Sequence, residues 1–222
     1  MKYKALIFDM DGTIVDTSPL WNAVTKELLC RKTTSLCPKV HAQLTQDLHG
    51  LAMHKACALI KERLELSEHV EDLITEKSAI ACLLYQKGIT FIPGFENFYA
   101  FIKNNLKTAI ATNADDATLA LSIEALKLDT YFNEHIYNIS HVDNICKPHP
   151  AIYVYAAKKL GVDPQDCIAL EDSAHGIKSA KAAGMYCIGI NTSKDLEQLK
   201  QADMIIDGYD ELIDHPLFSF KK

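Results

Sequence analysis

The sequence lacks any apolar run close to the roughly 20 residues that a membrane-spanning helix needs. Near the N-terminus, the short apolar stretch 5–8 is soon interrupted by Asp9 and Asp11. We therefore expect neither a membrane span nor a secretory signal.

Clusters of basic residues are also missing, apart from Lys221 and Lys222. The formal net charge is -6, whereas a protein that binds the nucleic-acid backbone presents a basic surface. Nucleic acid is therefore not an expected partner. A small anionic substrate stays open, because a metal ion and one or two lysines can decide the local field.

The seven cysteines include no Cys-x-x-Cys pair, and their number is odd. Cys167 and Cys187 lie in apolar runs, where a free cysteine acts as a small hydrophobic residue. We expect a reducing, cytoplasmic location and no zinc site. Internal repeats and low-complexity segments are absent as well.

The 222 residues are enough for one large domain or two modest ones, and they divide into three segments with different hydrophobic patterns. A short apolar strand comes first, and residues 18–87 then show helical periodicity with almost no strand signal. From Ile89 onward, strands alternate with helices. This alternation predicts a parallel sheet with helices on both faces, joined by right-handed crossovers. The helical block is therefore an insertion that leaves the α/β domain after Asp16 and returns near Ile89.

Start and stop signals predict four helices in the block. The first is capped by Ser18 with Pro19 in its first turn, and the second follows Pro38 and ends near residues 49–50. The third covers about 52–64, and the fourth is capped by Ser67 and runs to Gly88. In the α/β part we predict strands at 108–111, 134–139, 167–170, 186–190 and 204–206. The helices predicted there follow Pro93-Gly94 and cover 115–126, 150–160, 174–183 and 195–201.

Two carboxylates, Asp9 and Asp11, come directly after the first strand, and Gly12 can turn sharply where that strand ends. Residues two apart in an extended chain share one face, so these acids would repel each other. One pKa would rise unless a cation lay between them. The pattern therefore indicates a divalent ion that prefers oxygen ligands, and Mg2+ is the expected cofactor.

Polar residues follow other predicted strands too, at the sheet edge where ligands of open parallel sheets bind. Singly, each has an ordinary explanation as a helix cap or a solvated loop residue. Together they form a set of acids, one hydroxyl and one amine that suits phosphoryl transfer. The additional members of the set are Thr112, Asn113, Lys147, Glu171 and Asp172.

Phosphoryl transfer gives each of these residues a hypothetical role. Asp9 would be the nucleophile that forms an aspartyl-phosphate, and Asp11 would be the general acid toward the leaving group and then the base for water. Thr112 would hydrogen-bond a phosphate oxygen, while Lys147 would pair with the phosphate and screen Asp9. A further pair, Glu171 and Asp172, would hold the metal together with Asp9.

Four motifs, in the same order along the chain, resemble those of the haloacid dehalogenase-like superfamily. The resemblance implies a Rossmann-like α/β core over 1–16 and 89–222, an inserted all-helical cap domain over 17–88, and Mg2+ dependence. It also implies that Asp11 offers the metal its backbone carbonyl, and that Gly12, Thr13 and Asn113 help to bind phosphate. The motifs are Asp9-Met10-Asp11-Gly12-Thr13, Ala111-Thr112-Asn113, Lys147-Pro148-x-Pro150 and Glu171-Asp172-Ser173-x-x-Gly176 with Ala182-Ala183-Gly184.

Within this superfamily the chain resembles the β-phosphoglucomutase and phosphoglycolate phosphatase branch. The mutases of that branch have a histidine at the position of Trp21, whereas Asp16-Thr17-x-Pro19-Leu20-Trp21 resembles its sugar-phosphate phosphatases. We expect a phosphatase for a small phosphorylated metabolite, a sugar or polyol phosphate, and a monomer or weak homodimer. A phosphosugar mutase is the alternative, and a phosphoacceptor signalling or binding module is the alternative from another class.

Substrate choice is expected to lie in the cap, which closes over the core and keeps water out. Residues 49–55 resemble the specificity loop of such caps, with Gly50 as its flexible point. His49, His54 and Lys55 could reach an anionic or hydroxylated leaving group, or could simply lie on an exposed helix surface. Trp21 is expected in the core of the cap.

Overall fold

The protein folds around one sheet of six parallel strands in the order β3-β2-β1-β4-β5-β6. The structure is a computed structural model that describes residues 2–33, 38–48, 51–85 and 88–220. The strands are β1 Ala5–Phe8, β2 Lys107–Ala111, β3 Ile136–Tyr137, β4 Cys167–Glu171, β5 Tyr186–Ile190 and β6 Met204–Ile206.

The first strand lies near the centre of the sheet, between β2 and β4. Phe8, its last residue, is in register with Ile110 of β2 and Leu170 of β4. All four residues of β1 are buried, as expected for a strand covered on both faces. The residues that follow β1 therefore emerge in the middle of the carboxyl edge.

Helices account for most of the remaining described chain. Four of them form the inserted block between β1 and Ile89: α1 Ser18–Lys32, α2 Pro38–Asp47, α3 Met53–Arg63 and α4 Val70–Tyr85. The others are α5 Phe95–Ile102, α6 Asp116–Leu126, α7 Asp129–Phe132, α8 Ala151–Leu160, α9 Ala174–Ala182, α10 Leu196–Leu199 and α11 Asp210–Ile213. Short 3-10 helices cover Ile139–Val142, Pro164–Asp166 and Pro216–Phe218. None of the helices in the described ranges is both long and apolar enough to cross a membrane.

Apolar side chains form a separate layer on each face of the sheet. Alternate residues of β1 point to opposite faces, so Phe8 joins the layer under α5 and Ile7 joins the layer under α8 and α9. The helices α1–α4 have an apolar cluster of their own, with Leu28, Ile60 and Ile80 at its centre. The architecture confirms the predicted α/β class with a Rossmann-like parallel sheet and an inserted helical block.

The two chain segments that join the helical block to the sheet lie side by side. The amide of Asp16 donates to the carbonyl of Thr90 at 2.9 Å, and the amide of Ile92 donates to Ile14 at 2.8 Å. Val15 also forms an isolated antiparallel bridge with Phe91. The block therefore starts and ends at one place on the core.

Two predicted helix caps are wrong. The N-cap position of α1 is Thr17 rather than Ser18, and its hydroxyl donates to Asp11 instead of capping the helix. Helix α4 begins at Val70, three residues after Ser67. The chain between α3 and α4 is not helical there, and the Lys61 ammonium donates hydrogen bonds to the main-chain carbonyls of Leu66 and Glu68.

Other boundaries are shorter than predicted. The strand expected at 134–139 is reduced to β3, because Ile139 begins a 3-10 helix. The helix expected at 195–201 is reduced to α10, whose N-cap is Asp195. The predicted end of the second helix at His49 and Gly50 falls outside the described residues.

Candidate active site

A tight loop after β1 places Asp9 at the centre of the carboxyl edge. The amide of Asp9 still donates to Leu170 of β4 at 2.9 Å, so this residue continues the ladder for one step. The chain then turns around the carbonyl of Met10, which accepts from the amides of residues 13, 14 and 15. Gly12 has φ +79°, which glycine adopts without steric cost.

Lys147 lies between two buried carboxylates. Its ammonium nitrogen is 2.6 Å from Asp9 Oδ1 and 2.7 Å from Glu171 Oε1. Burial alone would lower the pKa of Lys147, but the negative charges of Asp9 and Glu171 outweigh this effect and raise it. Its backbone amide donates to Asn113 Oδ1 at 2.9 Å, which fixes the loop that carries it. The lysine is therefore charged and aimed at Asp9.

The carboxylate of Glu171 accepts five hydrogen bonds. Lys147 and the hydroxyl of Tyr153 donate to Oε1, the latter at 2.9 Å. The amide of Asp172, and both the amide and the hydroxyl of Ser173, donate to Oε2 at 3.1–3.2 Å. A carboxylate offers about four lone-pair sites, so the acceptor capacity of Glu171 is fully used.

Two glycines make room for the acids. A Cβ on Gly176 would lie 1.7 Å from Glu171 Oε1, and a Cβ on Gly12 would lie 2.0 Å from Asp172 Oδ2. Real Cβ atoms do not come so close to an oxygen, so each acid needs a glycine at its neighbouring position. This explains physically why glycine stands at both positions.

Three buried acids are arranged as a metal site would require. One carboxylate oxygen from each of Asp9, Glu171 and Asp172 lies within 4.8 Å of the others. Burial raises the pKa of Asp9, even though the charge of Lys147 opposes this rise. A bound cation would relieve the repulsion among these acids, and hard divalent ions favour such oxygen ligands. The residues therefore fit a divalent metal.

The side chain of Asp11 belongs to a different arrangement. Its Oδ1 accepts from the Thr17 hydroxyl at 2.7 Å and from the Trp21 indole at 3.3 Å. Burial raises the pKa of Asp11, while these two donors act against the rise. The Asp11 carboxylate is not one of the three clustered acids. Its backbone carbonyl as a metal ligand stays a prediction.

A cavity of about 460 Å3 opens over these residues, between the sheet edge and the helical block. From the sheet side it is lined by Asp9, Asp11, Thr112, Asn113, Lys147 and Asp172 among others. From the helical block it is lined by Trp21, Asn22, Thr25, Thr45, Met53 and Lys77 among others. The structure therefore gathers the predicted catalytic residues at one cavity, while their roles stay predictions.

Several predicted binding residues lie elsewhere. Gly12 and Thr13 are buried behind the cavity wall, where the carbonyl of Gly12 accepts from Thr192 and that of Thr13 accepts from the Tyr209 hydroxyl. His54 and Lys55 are exposed on α3 and are not among the residues that line the cavity. His49 and Gly50 lie outside the described residues.

The sequence reasoning missed three residues of the site. Trp21 was expected in the cap core, but it lines the cavity and contacts Asp11. Lys77 lines the cavity with only 5% of its surface exposed. The sequence contains a signal for Lys77, because it follows Leu73 by four residues and precedes Ile80 by three, on the buried stripe of α4. Tyr153, the third, carries no comparable signal.

Comparisons with known proteins agree with this geometry. The family model of the haloacid dehalogenase-like hydrolases matches residues 3–184. Hexitol phosphatase A of Escherichia coli K12 is 26% identical over 219 residues, which cover 96% of this chain and 94% of that protein. The match confirms the predicted enzyme class, a phosphatase of this family.

Two solved structures have the same fold. The β-phosphoglucomutase of Clostridium difficile superimposes with a TM-score of 0.75 and 25% identity, over 95% of this chain and 93% of that one. CbbY of Rhodobacter sphaeroides, in complex with phosphate, has a TM-score of 0.76 and 25% identity, over 95% of this chain and 96% of that one. The predicted branch is confirmed by these neighbours. From its motifs, its fold and the matching family model, the chain belongs to the haloacid dehalogenase-like hydrolases.

Proposed function

We propose that the protein hydrolyses the phosphate monoester of a small sugar or polyol, with Mg2+ as cofactor and Asp9 as nucleophile. One observation carries the proposal: the Lys147 ammonium lies 2.6 Å from Asp9 Oδ1 at the floor of the cavity. A cation beside the attacking carboxylate is what an anionic phosphate needs in order to approach. Hexitol phosphatase A, a relative over nearly the full length, supports the choice of substrate class.

The first chemical step transfers the phosphoryl group to the enzyme. A carboxylate oxygen of Asp9 forms a bond to phosphorus, and the ester P–O bond to the leaving group breaks. Asp11 gives its proton to the leaving oxygen, so the alcohol departs neutral. Lys147 stays hydrogen-bonded to Asp9 and pairs with the phosphate oxygens. The hydroxyl of the buried Thr112 donates a hydrogen bond to one of these oxygens.

The second step restores the enzyme. Water attacks phosphorus, Asp11 takes up its proton, and the bond between phosphorus and Asp9 breaks to release inorganic phosphate. Asp11 is then protonated and Asp9 ionised, as at the start. Both steps use the same two acids, which explains why both lie at the same cavity.

The residues that would hold Mg2+ are Asp9 and Asp172, with the backbone carbonyl of Asp11. Glu171 completes the acidic cluster, but five protein hydrogen bonds already engage both of its oxygens, so it would contribute its negative charge beside the metal. When bound, Mg2+ neutralises charge on the transferring phosphoryl group. The protein itself contributes the orientation of Asp9 and the exclusion of water.

We also propose that residues 17–88 act as a cap, with the predicted core over 1–16 and 89–222. The cavity wall supplied by α1–α4 combines polar donors with a single amine, that of Lys77 among its described residues. Such a wall suits a leaving group with several hydroxyls, since each hydroxyl needs a partner once water is displaced. The predicted monomeric or weakly dimeric state stays a prediction.

The experiment is phosphate release from a panel of hexitol and sugar phosphates, with Mg2+ and with EDTA. We expect turnover with Mg2+, loss of turnover in EDTA, and loss in Asp9→Asn. The matched control is Asp129→Asn, which makes the same change at an exposed position. If Asp9→Asn were as active as the control, Asp9 would be ruled out as the nucleophile.

A phosphosugar mutase is the second candidate, because the β-phosphoglucomutase of Clostridium difficile is among the structural neighbours. Phosphorus NMR on a hexose phosphate separates the two activities. Hydrolysis produces free phosphate, whereas a mutase produces a positional isomer without it. An isomer as the main product would replace the phosphatase proposal.

A further inference from the structure

We propose that Trp21 is a positioning residue for Asp11, which directs its proton-donating oxygen toward the leaving group. The inference rests on the proposed phosphatase function and goes beyond it, because it concerns a residue outside the four motifs. It predicts that hydrolysis of esters with poor leaving groups depends on the indole N–H, whereas hydrolysis of activated esters does not.

Both hydrogen bonds to Asp11 end on the same oxygen. The Thr17 hydroxyl is 2.7 Å and the Trp21 indole nitrogen 3.3 Å from Oδ1. Oδ2 receives no hydrogen bond from the described residues. An oxygen that accepts two hydrogen bonds keeps its lone pairs engaged, so a protonated Asp11 has its proton on Oδ2. The two donors therefore decide which oxygen can give up a proton.

The start of α1 is built to present these donors together. Thr17 and Trp21 are four residues apart, so they lie on the same side of the helix. The amide of Trp21 donates to the carbonyl of Thr17 at 2.9 Å, which fixes their spacing. Thr17 occupies the N-cap position but makes no capping bond with its side chain. Its hydroxyl serves Asp11 instead of the helix.

The indole is held on two sides. Its edge contacts Asp11, and the ammonium of Lys77 lies 5.5 Å from the ring centroid, within the range of a cation–π interaction. Trp21 is only partly buried and lines the cavity, so its role is not limited to packing between helices. Its N–H is a donor only, which excludes it as a proton acceptor in either step.

The test compares kcat/KM for two esters, because this ratio reports the first step only. An alkyl phosphate such as a hexitol phosphate needs a proton on its leaving oxygen, whereas p-nitrophenyl phosphate does not. In Trp21→Phe we expect kcat/KM for the hexitol phosphate to fall about tenfold, as for the loss of one hydrogen bond to the protonated Asp11 carboxyl. The value for p-nitrophenyl phosphate should change less than about twofold by the same reasoning.

Two further variants make the comparison specific. Thr17→Val removes the other donor and should show the same selective loss. Lys26→Ala changes an exposed residue of α1 that is not among the residues lining the cavity, and should leave both values unchanged. An equal loss on both esters in Trp21→Phe, or the same selectivity in Lys26→Ala, would overturn the proposal.

A measurement without substrate separates this proposal from the proposed function. Trp21 is the single tryptophan of the chain, so its fluorescence reports on the site alone. Asp11→Ala should change the emission of the indole, since its acceptor is gone, and Asp16→Ala should not. If the wild type turned over neither ester, the phosphatase function would fail. An emission unchanged by Asp11→Ala would instead overturn the Trp21 contact.

Discussion

The ammonium nitrogen of Lys147 lies 2.6 Å from Oδ1 of Asp9, although 138 residues separate them in the sequence. The lysine is 2% and the aspartate 7% exposed, so water screens neither charge well. A buried charge without its partner costs several kcal/mol. The contact therefore links the chemistry of the site to the stability of the fold.

Replacement of Lys147 should affect both properties. Lys147→Met leaves Asp9 and Glu171 without their cation, so we expect the free energy of unfolding at pH 7 to fall by about 3–5 kcal/mol. Phosphatase activity should fall at least about 100-fold because the charge opposite the phosphate is lost. Denaturant unfolding in EDTA measures the first effect. Lys158→Met, at an exposed position of α8, is the control. Equal stability of the two variants would contradict the prediction.

The hydroxyl of Tyr153 should matter through Glu171. Tyr153→Phe removes one of five donors to a fully buried carboxylate, which is expected to lower the free energy of unfolding by about 1.5–3 kcal/mol. Tyr155→Phe makes the same change two residues later, where the hydroxyl has no hydrogen bond within the described chain. This control should shift stability by less than about 0.5 kcal/mol. Similar unfolding midpoints for the two variants would argue against the assigned role.

Gly176 should not tolerate a methyl group. In Gly176→Ala the new Cβ would meet the carboxylate of Glu171, so Glu171 or helix α9 must move, at a cost of about 1–3 kcal/mol. Gly208→Ala introduces a Cβ with nothing within 4 Å and should be nearly neutral. Thermal unfolding compares them, and phosphate release should fall only in the first. A fully active Gly176→Ala protein would show that Glu171 can lie elsewhere.

Lys77 should give stability a characteristic pH dependence. Burial lowers the pKa of Lys77 below its ordinary 10.5. Below the lowered pKa, both folded and unfolded chains are protonated, and the folded state carries the full cost of the buried charge. Between the lowered pKa and 10.5, the unfolded chain binds more protons, so the contribution of Lys77 to stability rises with pH.

Lys77→Met keeps the length of the side chain without its charge. We expect this variant to be more stable than the wild type at low pH, with a difference that shrinks as the pH approaches 10.5. The KM for a sugar phosphate should rise about tenfold, since one charged hydrogen bond is lost. Lys32→Met should instead lower the stability, because Lys32 pairs with Glu68 and Glu76. A Lys77→Met protein less stable than the wild type at every pH would refute the assignment.

The central part of the site could be predicted because sheet topology determines it. Parallel strands bring their carboxyl ends to one edge, so residues directly after apolar runs meet there whatever their separation in sequence. Asp9, Thr112, Glu171 and Asp172 follow this rule. Lys147 lies in a loop, and its place beside Asp9 was expected from the need of phosphoryl transfer for a cation beside the nucleophile.

The cavity wall opposite the sheet could not be predicted in the same way. Its residues come from helices whose mutual packing no periodicity specifies. The sequence therefore offered the exposed His54 and Lys55 as candidates and did not point to Lys77 or Trp21. The Tyr153 hydroxyl reaches Glu171 only because α8 packs against the sheet at that depth. Such contacts depend on tertiary distances rather than on sequence spacing.

The hydrogen bond between Asp16 and Thr90 has a consequence for how such a protein can change. A segment whose two ends are already joined can be lengthened, shortened or exchanged without moving the strands on either side. Under the proposed function, exchange of the helical block would change the wall that contacts the substrate, while the clustered carboxylates keep their positions. Chemistry and selectivity are thereby free to diverge at different rates.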